Sequence, residues 1–553
     1  MSKKDPNLRE RMLYLFAPKR GAKAYHERMA RETAEELNRP DARGGGMPRM
    51  SYGSHGASQT LNSLIGWILD DGDAEDNIDL YSSTLRKRAR DLYTGGGLAR
   101  SGPDTLTTSV VGWGILPKPK IDGAFLGMDD EEREEMERTI LREFHLWADN
   151  RMCDAARQQD FYGLQSLAFL SMLMSGDVFA LFGLKDNRRT PYKTTIRLLE
   201  ADRICTPDSS GDSESKETES GGRIIDGVEI SFDGEVIRYH IASRSPNAGN
   251  NSSELTWTAI DAFGRDTGYP NILHIMTWER PEQRRGVPFV AAEIEQLKQF
   301  SRYMNAELAA NVVAAMLTVF LTSAEDDGKA GMEDAVNEEE KVTDDELKLE
   351  LAPGAVYDLP PGKDVKSVNP LRSNAQFEAF VNTTITVLAS SMGIPKEVLI
   401  KKYESNYTAA RAALLDFWRT VKVYRTRFNA MFNQPIYEQW LSEAVAAGRI
   451  NAPGFFDDPA IRQAWCGCTW MGASMGHVDP LKEVNAAHER IANNISTEEQ
   501  EAAEYNGNDW NAITRQRQRE VETRRELKLD PPAQNAQNAN FETGQNEKEE
   551  DEE

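Results

Sequence analysis

The sequence predicts a mixed α+β chain that is mostly helical, and three observations carry that reading. Apolar residues recur every three to four positions over long stretches of the 553 residues, as one buried helix face requires. Between Val178 and Ser243 the rhythm changes to that of strands. The hydrophobic share is 39%, enough to bury real cores, and the length exceeds what one compact core holds, so several linked modules are expected.

Taken in order, residues 1–50 hold 12 Lys/Arg against 7 Asp/Glu and end in Gly44-Gly45-Gly46. This segment reads as a basic, flexible arm: a solvated extension, or in the sharper reading a contact arm for an acidic partner or nucleic acid. From Leu80 toward Lys120 the pattern is a helix followed by the apolar stretch Val110–Leu116. Asp129 to Asn150 is a charged amphipathic helix with Met136, Ile140, Phe144 and Trp147 at helical spacing. The apolar run Phe161–Gly183 is interrupted by Gln165, Gly176 and Asp177, so it reads as a buried helix and a strand rather than a membrane span. Strands are expected at Val178–Leu184, Thr195–Leu199, Gly227–Ile230 and Glu235–Ser243, with a polar low-complexity loop from Pro207 to Gly222.

Pro288 opens a helix at the first-turn position, and Val290, Ile294, Leu297, Met304, Leu308 and Val312 then form one stripe. A strand at 318–323 precedes an insertion, Glu325–Glu350, with 12 acids against 3 lysines. Two short strands within 349–368 are separated by Pro-Gly turns. A second helix, Asn374–Met392, is stopped by Gly393-Ile394-Pro395, and a third runs from about Tyr407 to Phe432. Single stripes of this kind stay wet unless neighbours cover them, from the same chain or from other copies. The C-terminal third reads as helical, with capping-box spacing at Ser496–Glu499 and a highly charged helix Asp509–Lys528. Its end, from Pro531, is Asn/Gln-rich and acidic, with no reason to fold.

The net charge of −24 argues against tight, general DNA binding but allows a duplex to slide past. Four cysteines (Cys153, Cys205, Cys466, Cys468) fit a reducing cytosol. The first residues lack a signal-peptide apolar core, and no bilayer crossing is expected.

Chemistry is sought and not found. Gly472-Ala473-Ser474-Met475-Gly476 has nucleophile-elbow spacing beside His477, the basis of the alternative reading as a cytosolic serine hydrolase. The following helix begins late, near Asp479-Pro480, and the histidines His477 and His488 lie too near in sequence for that fold's order. Cys466-Gly467-Cys468 is too tightly spaced for a structural zinc site. His26-Glu27 lacks a second histidine, Gly95-Gly96-Gly97 follows a helix rather than a strand, and no phosphate-binding P-loop occurs. No enzyme, no cofactor and no metal are expected.

Several motifs, taken together, resemble the lambda-type tailed-phage portal proteins. Gly393-Ile394-Pro395-Lys396-Glu397-Val398-Leu399 precedes Asn406-Tyr407-Thr408-Ala409-Ala410-Arg411, and both match that family's signature. Gly176-Asp177, Ala201-Asp202-Arg203-Ile204, Arg285-Gly286-Val287-Pro288, Trp470-Met471-Gly472 and Asp479-Pro480-Leu481-Lys482-Glu483-Val484 match in the same order, over roughly 80–530. At Asp177 the family's usual glutamate is one carbon shorter. The resemblance implies a ring of about twelve identical subunits at one capsid vertex, through which DNA is packaged and ejected. It also implies wing, stem, clip and crown regions: wing 51–285, stem helices 286–317 and 374–392, clip 318–373, tunnel loop 393–406, a tunnel/wing helix 407–435, wing–crown helices 436–530 and an acidic tail 531–553. Expected partners are other copies, the terminase motor, neck proteins, capsid or scaffold proteins and double-stranded DNA. Lys396, Lys401, Lys402, Tyr403, Asn406 and Tyr407 are the candidate channel residues.

Overall fold

The computed structural model describes residues 72–207, 216–218, 222–246, 255–315, 319–322, 356–359, 377–403, 407–476, 480–506 and 510–529. The basic arm, His26, Asn406, His477, the acidic insertion Glu325–Glu350 and the tail lie outside the described residues.

Two helices, α1 (Ser82–Gly95) and α2 (Leu98–Val110), replace the single helix read between Leu80 and the apolar stretch. The break is at Gly96 and Gly97, whose φ of 82° and 67° suit only glycine comfortably. After β1 (Leu116–Pro119) comes α3 (Asp130–Ala148), capped as its sequence demands: the Asp129 carboxylate accepts from Glu132 N–H at 2.7 Å. Asp160 caps α4 (Phe161–Ser175) in the same way. β2 (Asp177–Leu184) then sits between β3 (Thr194–Glu200) and β9 (Ile272–Met276), antiparallel to both.

Alternation along β2 serves two cores. Val178 and Ala180 face the main core, whereas Phe179 faces a second one. That second core is shared with an antiparallel meander of β4 (Lys216–Glu217), β5 (Arg223–Ile225), β6 (Val228–Ile230), β7 (Val236–Ala242) and β8 (Trp257–Asp261).

α5 (Ile294–Ala315) begins six residues after Pro288, correcting the helix start read at that proline. The segment before it is tied down elsewhere: Arg285 is fully buried and Phe289 N–H donates to the Leu173 carbonyl at 2.9 Å. Beyond α5, β10 (Val319–Thr322) pairs in parallel with β11 (Val356–Leu359). α6 (Phe377–Ser391) and α7 (Lys396–Ile400) follow, so the stretch read as a loop from 393 to 406 contains a short helix.

α8 (Tyr407–Phe428) does not stop at Phe432 or at residue 435. A π-helical segment, Asn429–Asn433, joins it to α9 (Gln434–Ala446). Pro435 lacks an N–H and would clash in a regular helix interior; the wider turn before it absorbs the mismatch. Asn433, buried there, accepts from Gln165 Nε2 at 3.0 Å, and that same amide group donates to the Ile115 carbonyl.

The main core is aromatic. Phe144 of α3 meets Phe161 of α4 edge-on at 5.6 Å and Trp440 of α9 at 4.9 Å, and the buried Trp147 donates to the Thr194 carbonyl. After α10 (Pro459–Trp465), β12 (Cys468–Met471) pairs with β1. Three helices end the described residues: α11 (Pro480–Ala492), α12 (Glu498–Asn506) and α13 (Trp510–Glu526). α12 is capped by Thr497, whose hydroxyl accepts from Gln500 N–H at 3.2 Å, one residue later than the spacing at Ser496 suggests.

Candidate functional site

The expected channel residues divide between the two ends of α7. Ending α6, Gly393 adopts φ 64° and the Ile394 N–H returns to the Ala389 carbonyl at 3.0 Å, which turns the chain sharply. Ile394, Val398 and Leu399 are buried, and Ser101 of α2 donates its hydroxyl proton to the Leu399 carbonyl at 2.6 Å. α7 is therefore fastened to α2 by its apolar side. Lys396 is half-buried at the first turn, where the helix dipole disfavours a cation. Lys401, Lys402 and Tyr403 are exposed at the other end. There Lys401 takes φ 55° and Lys402 N–H donates to the Glu397 carbonyl at 3.1 Å. A non-glycine residue in that conformation costs about 1 kcal/mol. The fold spends this to aim a cationic, aromatic edge away from the body. Tyr407 opens α8 just beyond, and Asn406 lies outside the described residues.

The two long helices flanking the β10–β11 insertion touch each other. Tyr303 of α5 packs on Phe377 and Phe380 of α6, with ring centroids at 5.9 and 5.0 Å. That contact does not bury them. After Leu297 no described side chain of α5 is buried, and in α6 only Leu388 and Ala389 are. Leu308, Val312, Phe380 and Val387 all stay exposed.

At the base of α5, three motifs that lie far apart in sequence meet in one buried ionic node. Arg285 Nε donates to Asp177 Oδ2 at 2.7 Å across 108 residues, and its Nη1 lies 2.7 Å from Asp226 Oδ2. The Ala201 and Ile204 carbonyls accept from the same guanidinium at 2.9 and 2.8 Å. Arg86 of α1 pairs with Asp202 at 2.9 Å, Arg90 pairs with Asp202 as well, and His274 of β9 contacts Asp177. Burial alone would raise Asp177, but the Arg285 and Arg86 charges hold its carboxyl well below the usual range. Glycines let the strands of this node touch: a Cβ on Gly176 would sit 2.4 Å from the Gly286 carbonyl oxygen. Sequence reading found Gly176-Asp177, Ala201-Asp202 and Arg285-Gly286 but missed Asp79, Arg86, Arg90, Asp226 and His274. No local pattern marks these as partners. A second pair of motifs also meets, Arg411 of α8 with Glu483 of α11 at 2.7 Å.

Asp79 gives the node a pH dependence. Its carboxylate accepts from the backbone N–H of Arg285 at 3.0 Å, yet burial pushes it up to about 7. A carboxyl raised above its unfolded value stabilises fully below about pH 4, and this contribution is lost as pH rises through about 7. Asp79→Asn is expected to flatten that fall, so melting temperatures of variant and wild type should diverge between pH 4 and 7, with the variant higher at the upper end.

The elbow-like spacing does not make an elbow. β12 leads into Gly472, but 472–476 is not helical and α11 starts only at Pro480. Cys466 and Cys468 are free thiols, and burial pushes both up, Cys466 to about 12. Among the described residues no group of three or more His, Cys, Asp or Glu side chains is placed to hold a metal ion, and no helix is long and apolar enough to cross a membrane.

Comparison with known proteins places residues 61–425 in a match to the family described as phage portal protein, lambda family. Portal protein B of Escherichia phage lambda is 24% identical over 476 residues, covering 83% of this chain and 86% of that protein. The portal protein of Escherichia phage N15 is 24% identical over 522 residues, covering 90% and 96%. Among solved structures, a chain from the neck of an empty gene transfer agent particle aligns with TM-score 0.38 and 15% identity, covering 69% of this chain and 92% of its own.

Proposed function

The chain belongs to the lambda family of phage portal proteins, and from that premise we propose that its copies close into a ring of about twelve around a channel for double-stranded DNA at one capsid vertex. Family membership makes it a structural component of the virion and not an enzyme. The observation that carries the ring is the pair α5 and α6. They lean on each other through Tyr303, yet leave Leu308, Val312, Phe380 and Val387 in water, which adjacent copies would cover. A heterologous contact that closes by rotation produces such a ring.

In this reading residues 51–285 form the wing, α5 and α6 the stem, and the β10–β11 insertion the clip that meets the terminase motor and later the neck proteins. α7 with its exposed edge takes the place of the tunnel loop, and α11 to α13 belong to the crown. An excess of acids along the channel would keep phosphates from sticking, while Lys401 and Lys402 supply a weak grip.

Negative-stain imaging of the purified protein tests the proposal. Ring-shaped class averages with a duplex-wide hole are expected, and particles that stay compact monomers at high concentration would remove its support. Lys401→Ala with Lys402→Ala should reduce DNA retention in filled heads several-fold while rings still form. Lys396→Ala alone should do less, because Lys396 sits half-buried at the opposite end of α7.

A further inference from the structure

We propose that Asp79 is a proton-operated latch on the segment leading into α5: holding a proton, it leaves the buried ionic node balanced in charge and shut, and on losing it the Arg284–Arg285 backbone detaches from Asp79 more readily. The motion belongs to the single subunit and does not depend on ring closure.

Four carboxylates enter the node: Asp79 from the short turn Asp79–Tyr81 before α1, Asp177 of β2, Asp202 after β3 and Asp226 between β5 and β6. Three guanidiniums face them, those of Arg86 and Arg90 on α1 and of Arg285. His274 of β9 adds no charge, because burial disfavours its protonated form. One negative charge is therefore in excess, and a carboxylate buried in that position either finds a cation or takes up a proton.

Three of the four have found a cation. Asp177 and Asp226 each lie 2.7 Å from Arg285, and Asp202 lies 2.9 Å from Arg86. Asp79 is buried without an ion pair among the described residues. It faces two backbone amides instead: Arg285 N–H donates to its carboxylate at 3.0 Å and Arg284 N–H at 3.4 Å. The other neighbours are engaged elsewhere. Ser82 donates its hydroxyl proton to Asp226, Glu75 one turn earlier pairs with Arg223 at 3.1 Å, and Arg280 donates to the Gly72 and Asp73 carbonyls. The Arg284 side chain is half-buried at the edge.

The two amides favour the ionised form, but burial outweighs them and the Asp226 charge opposes it too, which holds the carboxyl at about 7. A solvated aspartate ionises near pH 4, so any opening that returns Asp79 to water is favoured increasingly as pH rises through 7. A buried neutral histidine gives the opposite sign, easing opening as pH falls, so His274 cannot mimic the effect.

Hydrogen exchange of the full-length protein, read by mass spectrometry and corrected for the intrinsic pH dependence of exchange, tests the latch. Peptides containing the Arg284 and Arg285 amides should show an opening constant that rises about tenfold between pH 6 and pH 8. They should also exchange faster than the buried face of α3, since the latch opens without global unfolding. α11, which buries no side chain, is the reference and should stay level. Asp79→Asn keeps the shape but cannot ionise, and should leave less than about a twofold rise. An opening constant that is flat or falls with pH in wild type overturns the proposal, as does a full tenfold rise in Asp79→Asn. Exchange at Arg284 and Arg285 as slow as in buried α3 overturns it as well, because only global unfolding would then expose Asp79. The wild-type comparison of the three segments decides the matter even if the variant fails to fold.

Discussion

Arg285→Ala is expected to destabilise the subunit by about 3–5 kcal/mol, enough to stop most chains from folding or assembling. The guanidinium is fully buried and donates to Asp177 and to the carbonyls of Ala201, Ile204 and Asp226. Removing it leaves Asp177 charged in the interior beside acceptors that have lost their donor. That cost comes from the groups left behind more than from the lost attraction. Lysine at the same position keeps the charge but cannot fork between two carboxylates and several carbonyls, so Arg285→Lys should recover only part of the loss. Denaturant unfolding of wild type, R285K and R285A checks the order. Equal stability of R285A and wild type would show that the node does not hold the base of α5.

Gly286→Ala is expected to cost roughly 3 kcal/mol, at the upper end for overpacking. The added Cβ would sit 2.0 Å from the Gly176 carbonyl oxygen and 2.3 Å from its carbon. Both are backbone atoms at the start of β2, so no side chain can rotate away. Either β2 or the segment entering α5 must move, and the ionic node would loosen with it. A control is available in the same region of chain space: a Cβ on Gly95, near the end of α1, meets nothing within 4 Å. Gly95→Ala is expected to stabilise by about 0.5–1 kcal/mol by restricting the unfolded chain. Thermal unfolding of the two variants should therefore shift in opposite directions. A neutral Gly286→Ala would mean that the close crossing of the two glycines is not required.

The lengths and faces of α3 and α4 were legible because their signals are local. Asp129 and Asp160 cap them, and the apolar spacing that follows marks the buried face. The same holds for β2, whose alternation reflects two cores. β1 and β12 were not legible. Leu116-Pro117-Lys118-Pro119 holds two prolines and no strand pattern, and it becomes a strand only because Cys468–Met471 arrives beside it. Asn433-Gln434-Pro435 reads as a stop; it continues as helix because a π turn and a buried amide network absorb the proline.

The candidate site divides along the same line. The lysines near 396–402 stand out in sequence, but only the fold of α7 separates Lys396 from the exposed pair Lys401 and Lys402. Composition, periodicity and motif order were enough to determine a helical α+β chain without catalytic machinery and to point to its family, since these are properties of neighbouring residues. Tertiary structure alone decided that Asp79, Arg86, Asp177, Asp202, Asp226 and Arg285 would share one buried node. A buried charge is stable only where partners from distant segments arrive together, and no local sequence window contains that information.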